Sequence, residues 1–271
     1  MATHLSHPVL TQNALDVLEH RPYLQLGESP SQLFYRVAKH VASAEQERDQ
    51  EKWTERFYNL LSSLKFLPNT PTLVHAGVPG HEGHSLSACF VLPIHDSLHS
   101  IMTALKDAAM VEKSGGGTGF SFSRIRPRGS PIGSVPGGAL GPVEVMRIYS
   151  RALEGLTQGA VRAGAHMGQM RADHPDIFEF IAAKNNNSDG GSLANFNISV
   201  QITDKFMEKL GPGDGKWELI DPNTQQVTRV VSARMLWETI MKSAHKTGDP
   251  GLVFIDRVHE TAPNPSLASP R

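Results

Sequence analysis

Cys89, in the stretch HSLSACFVLP, is the single cysteine of the 271 residues. A thiol can be a small core residue or one half of a redox couple, and the apolar run ACFVLPI around it reads as a buried strand with an incidental sulfur. The densest signal lies downstream, where KSGGGTGFSFSRIRPRGSPIG (Lys113 to Gly133) places three successive glycines ahead of Arg124, Arg126 and Arg128. Glycines let backbone N–H groups approach an anion, and guanidinium groups meet phosphate through paired bonds. No Lys-Ser or Lys-Thr follows the last glycine, so this is not a Walker A loop, nor is it G-x-G-x-x-G at a strand end. Phosphate binding competes here with a plain flexible turn.

A second Gly/Ala/Arg-rich segment, TQGAVRAGAHMGQMRADHPDIFEF, holds Gln158 and Arg162, which could read a base or a phosphate or could belong to a tight connection between helices. FLPNTPTLVHAG offers Asn69, Thr70 and Thr72 as donors, although such residues most often form turns. HEGH supplies His81 and His84, three apart, without H-E-x-x-H spacing or a third ligand. It is weak evidence for a metal, and none is expected.

The elements that must carry these groups change character along the chain. Residues 1–66 read as a helical N-terminal domain: Ser29-Pro30-Ser31-Gln32 is a capping box with Pro at the first helical position, and Leu33, Phe34, Val37 and Val41 follow on one face. After the solvated run EQERDQEK, Trp53, Phe57, Leu60, Leu61 and Leu64 repeat at helical spacing. From Leu67 short apolar runs alternate with helical segments and Gly/Pro-rich loops, which predicts an α/β domain over 67–271. ACFVLPI and NFNISVQI read as strands buried on one or both faces. Asp96 is expected to cap a helix through Ile101, Leu105 and Ala108, Pro142 to open another, and Ser232 to cap a third.

Lys plus Arg is 26 against 27 Asp plus Glu, so no basic footprint marks a nucleic-acid polymer as partner. The N-terminus lacks a cationic region followed by an apolar run, and no apolar stretch has the length of a membrane span; a cytoplasmic location without a membrane partner is expected. One cysteine excludes an internal disulfide, a cysteine-rich zinc site and any dithiol mechanism within these residues alone.

Taken in order, NTPTL, LSACFVLPIHDSLHSI, KSGGGTGFSFSRIRPRGSPIG, TQGAVRAGAHMGQMRADHPDIFEFI and NFNISVQITDKFM closely resemble the catalytic subunit of ribonucleotide reductase. With LTQNALDVLEHRPYL near the start, the resemblance is strongest to the adenosylcobalamin-dependent class and runs from about Val9 to about Pro265. It implies a helical domain followed by the first half of a ten-stranded α/β barrel, and the reduction of ribonucleotides to deoxyribonucleotides by thiyl-radical chemistry. Cys89 matches the first cysteine of the redox pair that donates two electrons and ends as a disulfide. Thr72, Ala88 and Gly117 match substrate-lining positions; some relatives have Ser where Ala88 stands, so that contact is through backbone. Asp96, Arg126 and Ile132 match the specificity site for a deoxynucleoside triphosphate at a dimer interface, and Gln158 and Arg162 match the loop linking effector to substrate.

The resemblance also implies adenosylcobalamin as cofactor, a homodimer, and a thioredoxin-type reductant. The radical cysteine with its Asn and Glu, the second redox cysteine and the phosphate loop are not found after DRVHETAPNP, where SLASPR stands instead. The chain is therefore expected to act with a C-terminal half of the reductase and to be inactive alone. The alternative is a non-catalytic module that keeps effector binding.

Overall fold

The computed structural model describes residues 7–133, 135–155, 165–185, 193–213 and 215–262, with the side chains of 135–137 left aside. Two compact units divide it, Met1–Ala88 and Cys89–Arg271, so the division falls beyond the boundary expected at 66/67.

The first unit carries α1 (Gln12–His20), α2 (Pro30–Ala42), α3 (Glu47–Ser62) and α4 (Thr70–His75). The capping box of α2 is formed as expected: Ser29 Oγ accepts from the Gln32 N–H and Gln32 Oε1 accepts from the Ser29 N–H. The apolar face of α2, Leu33, Phe34, Val37 and Ala38, closes on Tyr58 and Leu61 of α3 and on Leu73 of α4. Arg36 explains why α4 belongs with these helices. Its guanidinium pairs with Glu28 at 2.7 Å and donates to the carbonyls of Leu73 (3.2 Å) and Ala76 (2.5 Å), satisfying acceptors that the end of α4 leaves open.

The second unit runs β1 (Cys89–Val91), α5 (Leu98–Lys113), β2 (Gly117–Ser121), a hairpin of β3 (Pro131–Ile132) and β4 (Val135–Gly138), α6 (Pro142–Glu154) and β5 (His166–Arg171). It continues through α7 (Ile177–Ala182), β6 (Phe196–Ile202), α8 (Asp204–Glu208), the hairpin β7 (Lys216–Ile220) and β8 (Val227–Ser232), α9 (Ala233–Thr247), β9 (Gly251–Phe254) and α10 (Ile255–Glu260). Strands β1, β2, β5, β6 and β9 form one sheet in that order, every neighbouring pair parallel. Spatial order follows chain order without a reversal, as in a barrel wall and unlike a doubly wound sheet. Among the described residues the wall is five strands wide and not closed, which agrees with part of a barrel.

The interior strand β6 buries Phe196, Ile198, Val200 and Ile202 on one face, whereas on the other Ser199 is buried, Gln201 half-buried and Asn197 exposed. Phe196 on it meets Phe120 and Phe122, and both of those meet Tyr149 of α6 edge-on, with centroids 5.3 and 6.0 Å away. Burial pushes the Tyr149 phenol above its ordinary range, and its hydroxyl donates to the Ile101 carbonyl. At the sheet edge the sequence expectation fails: β1 is three residues long with Cys89 and Val91 exposed, and among the described residues it has one neighbouring strand.

Candidate functional site at the two ends of the first strand pair

Strands β1 and β2 set the candidate residues of the second unit in place. Cys89 pairs by register with Gly117, so the thiol-bearing residue and the glycine both stand at the amino ends of their strands. The thiol residue is exposed, not buried as its apolar neighbours suggest. The glycine run before β2 is required sterically: a Cβ on Gly116 would lie 2.7 Å from Val111 Cγ1 and 3.0 Å from the Phe90 ring. The last turn of α5 and the ring of Phe90 can therefore close over the start of β2 only with no side chain there.

Asp96, Arg126 and Ile132 lie beyond the carboxyl ends of the same two strands, where α/β sheets generally place ligand-binding loops. Asp96 does not cap α5; Ser97 does, its Oγ accepting the Ser100 N–H at 3.1 Å. The Asp96 carboxylate is engaged instead by Arg126, through its backbone N–H at 3.2 Å and its Nε at 2.7 Å, and by the Asn223 amide. Arg126 Nη1 donates to the Pro131 carbonyl at 3.0 Å, which ties the ion pair to the hairpin that exposes Ile132. The other two arginines of the segment also have protein partners. Arg128 donates its N–H to Asp176 and pairs with Glu179 at 3.3 Å, and Arg124 lies 3.4 Å from the His95 ring. Burial raises the Glu179 carboxyl, an effect opposed by Arg128. Gln158 and Arg162 lie outside the described residues.

Thr72 and Ala88 belong to the first unit. The Asn69 amide nitrogen donates to Thr72 Oγ1 (2.7 Å) and to the Leu86 carbonyl (3.0 Å), while its oxygen accepts the Ala88 N–H at 3.0 Å. Thr72 Oγ1 donates in turn to Leu86 O at 2.8 Å. These side chains fix the segment that leads into Cys89, and Asn69, read from sequence as a turn former, is its organiser.

Two further groups were not singled out for this chemistry. His166 of β5 is buried, its Nδ1 sharing a 2.7 Å hydrogen bond with Thr118, and desolvation pulls it below the ordinary imidazole range. His75 of α4 faces His81 and His84, and desolvation first, then those two rings, lower it. Its place beside them supplies the third nitrogen that HEGH lacks.

Sequence models of two domains match the chain: "Ribonucleotide reductase, all-alpha domain" over residues 9–81 and "Ribonucleotide reductase, barrel domain" over residues 87–268. The chain belongs to the ribonucleotide reductase family. The helical and parallel-sheet units are thus its all-alpha and barrel domains, the latter in part. The chain is similar to the vitamin B12-dependent ribonucleoside-diphosphate reductase of Thermoplasma acidophilum, with 46% identity over 78% of the chain and 27% of the relative. It is similar to that of Mycobacterium tuberculosis CDC 1551, with 41% identity over 88% of the chain and 34% of the relative. Against the ribonucleoside-diphosphate reductase large subunit of Trypanosoma brucei brucei, identity is 31% over 89% of the chain and 31% of the relative. The chain spans about a third of the length of these curated relatives or less. No helix among the described residues of this reductase-family chain is long and apolar enough to cross a membrane.

Proposed function

We propose that this chain supplies one redox thiol and the effector-reading elements of a ribonucleoside-diphosphate reductase. The observation that carries the reading is Cys89, the single thiol of the sequence, standing exposed in register with Gly117 while the Asp96–Arg126 pair holds the opposite end of the same strands. This arrangement supports a reading in which reduction and control use opposite ends of one strand pair.

The thiol chemistry follows from electron count. Replacing the ribose 2′-hydroxyl by hydrogen consumes two electrons and two protons and releases water, and two thiols supply both as they join in a disulfide. Cys89 is one of them. The second sulfur must come from outside these 271 residues, since they hold one cysteine. That requirement supports a further, C-terminal portion of the reductase bearing the remaining cysteines, with a thioredoxin-type reductant to reopen the disulfide.

Effector binding is assigned to Asp96, Arg126 and Ile132. A deoxynucleoside triphosphate would take its sugar hydroxyl to the carboxylate and a phosphate to the guanidinium. The bonds that now join these two groups are the ones it would share. Substrate contact is assigned to the backbone at Gly117, with Thr72 and Ala88 carried over from the resemblance, and the Gln158–Arg162 loop is assigned to communication in a homodimer.

The relatives' names support adenosylcobalamin as the cofactor of the whole reductase, where it supplies the initiating radical. Cavities of about 280 and 380 Å³, lined by the His40–Leu86 group and the Trp53–Lys65 group, are too small for a corrin with its adenosyl group. Neither of these two cavities can hold that cofactor, and the chemistry assigned to this chain runs through its thiol.

The decisive experiment combines the chain with a C-terminal portion of a vitamin B12-dependent relative, adenosylcobalamin, a dithiol and a ribonucleoside diphosphate. Deoxyribonucleotide should form with the native chain and not with Cys89→Ser. Deoxynucleoside triphosphate binding without product would instead leave a regulatory module, and neither would remove both readings.

A further inference from the structure

The first unit holds a cluster that the reductase chemistry does not use. α4 ends at His75, and three successive tight turns follow: the Val78 N–H reaches His75 O (3.2 Å), the His81 N–H reaches Val78 O (3.1 Å) and the His84 N–H reaches His81 O (3.0 Å). Gly77 and Gly80 make the reversals possible with φ of 68° and 84°. Each turn advances three residues, so positions 75, 81 and 84 return to one side. Their imidazole rings lie 4.6 to 5.0 Å apart, centroid to centroid. His75 Nδ1 and His81 Nδ1 are 3.1 Å apart, and one nitrogen from each of the three rings falls within 4.8 Å of the others.

Two nitrogens bound to one tetrahedral zinc stand about 3.3 Å apart, given zinc–nitrogen bonds of about 2.0–2.1 Å. The His75–His81 spacing is already close to that, and His84, which is exposed, offers a nitrogen within 4.8 Å of both. The scaffold is firm on one side: Arg36 holds the carbonyls of Leu73 and Ala76 on either side of His75. Glu82 lines the same cavity of about 280 Å³, its Oε1 kept in place by the Gly80 N–H at 3.1 Å. Three imidazoles with an acidic group beside them suit a divalent ion of the zinc type better than Mg²⁺ or Ca²⁺, which require oxygen ligands.

We propose that His75, His81 and His84 form a three-imidazole site for a zinc-type divalent transition metal, with Glu82 or water in the fourth position. Its work is structural. The ion would close the loop between α4 and Leu86, whose carbonyl accepts from Thr72 and Asn69, and so stiffen the segment that leads to Ala88.

The test uses the untagged full chain. Titration with Co²⁺ should give a visible d–d spectrum of tetrahedral intensity that saturates at one equivalent and is abolished by Zn²⁺. Zn²⁺ should raise the melting temperature by about 5 °C or more at saturating concentration. His84→Ala, at an exposed position, and His75→Ala should each remove the spectrum and the shift, while His259→Ala, on α10, should leave both. Should His75→Ala unfold, as circular dichroism would show, His84→Ala alone decides. A wild-type spectrum in His84→Ala, no saturation at one equivalent, or no thermal shift with Zn²⁺ would overturn the assignment. Because the readout is the metal itself, failure of the reductase reading would leave this result untouched, and the reverse holds too.

Discussion

The Asp96 carboxylate receives both the main-chain N–H and the Nε of Arg126, a residue 30 positions later in the chain. One acidic side chain thus fixes the position and the direction of one guanidinium at the carboxyl ends of β1 and β2. Arg126→Ala should weaken deoxynucleoside triphosphate binding at least about tenfold, the loss of one charge-assisted contact. It should also destabilise the fold by about 1–3 kcal/mol, because the largely buried Asp96 loses its charged partner and keeps only the main-chain N–H of residue 126 and the Asn223 amide. Arg126→Lys should restore part of the stability but little of the binding, since an ammonium cannot reproduce the fork. Equilibrium dialysis and urea unfolding of the three proteins measure both quantities; equal nucleotide affinity in all three would rule out the effector assignment.

Acid should weaken the barrel unit before it titrates most carboxylates. His174 is buried, and its hydrogen bonds define a neutral tautomer: Nδ1 accepts the Asp176 N–H at 3.0 Å and Nε2 donates to Ile125 O at 2.9 Å. Burial lowers His174 against the opposing pull of Ile125 O and nearby aspartates, and desolvation lowers His166 likewise. A histidine lowered in the folded state binds its proton more readily when unfolded, so stability is full above the ordinary value of 6.5 and falls as pH drops below it. With two such groups the slope has an upper limit of about 2.7 kcal/mol per pH unit. Unfolding free energies of the native chain and of His174→Gln between pH 7.5 and roughly pH 5 should differ in slope by about one proton. Parallel curves would contradict it.

Local signals in the sequence were read well where the partner lies within one turn. Ser29, Pro142 and Ser232 begin helices as their types require, because a cap needs only the next few residues. Asp96 was misread for the same reason: next to Ser97 it looks like a cap, and nothing nearby reveals Arg126. Cys89 sits among apolar residues that suggest a core strand, but exposure depends on the strand's place at the sheet edge, which is a property of topology. HEGH by itself holds two imidazoles, and the third, His75, closes on them from the preceding helix, a contact that the spacing within HEGH does not reveal. The regular spacing of His75, Val78, His81 and His84 by threes, punctuated by Gly and Pro, was the available signal.

Arg36 is the test of why residues 70–88 join the helical unit. Its side chain is largely buried, bonded to Glu28 twice and to two carbonyls at the end of α4. Arg36→Ala should destabilise that unit by about 3–5 kcal/mol, since it leaves an uncompensated carboxylate and two unsatisfied acceptors. Arg36→Lys should recover less than half, because one ammonium cannot reach all three partners. Denaturant unfolding monitored by tryptophan fluorescence would show it, Trp53 being on α3; a loss below about 1 kcal/mol would mean that apolar packing alone holds α4.

Cys89 combines exposure with an edge strand, and the two together predict a division between chemistry and folding. An exposed thiol should react with one equivalent of a disulfide reagent in the native state, without the delay of an opening step. Cys89→Ser removes no buried contact, so it should change unfolding free energy by less than about 0.5 kcal/mol. Deoxynucleoside triphosphate affinity should also stay as it was, since the Asp96–Arg126 pair sits at the other end of the strands. Deoxyribonucleotide formation in the complemented enzyme should be lost, because serine cannot form the disulfide that supplies the electrons. Slow, protected labelling or a substantial loss of stability in Cys89→Ser would show the thiol to be a packing residue. Product formation by Cys89→Ser, with folding intact, would move the redox role to another sulfur.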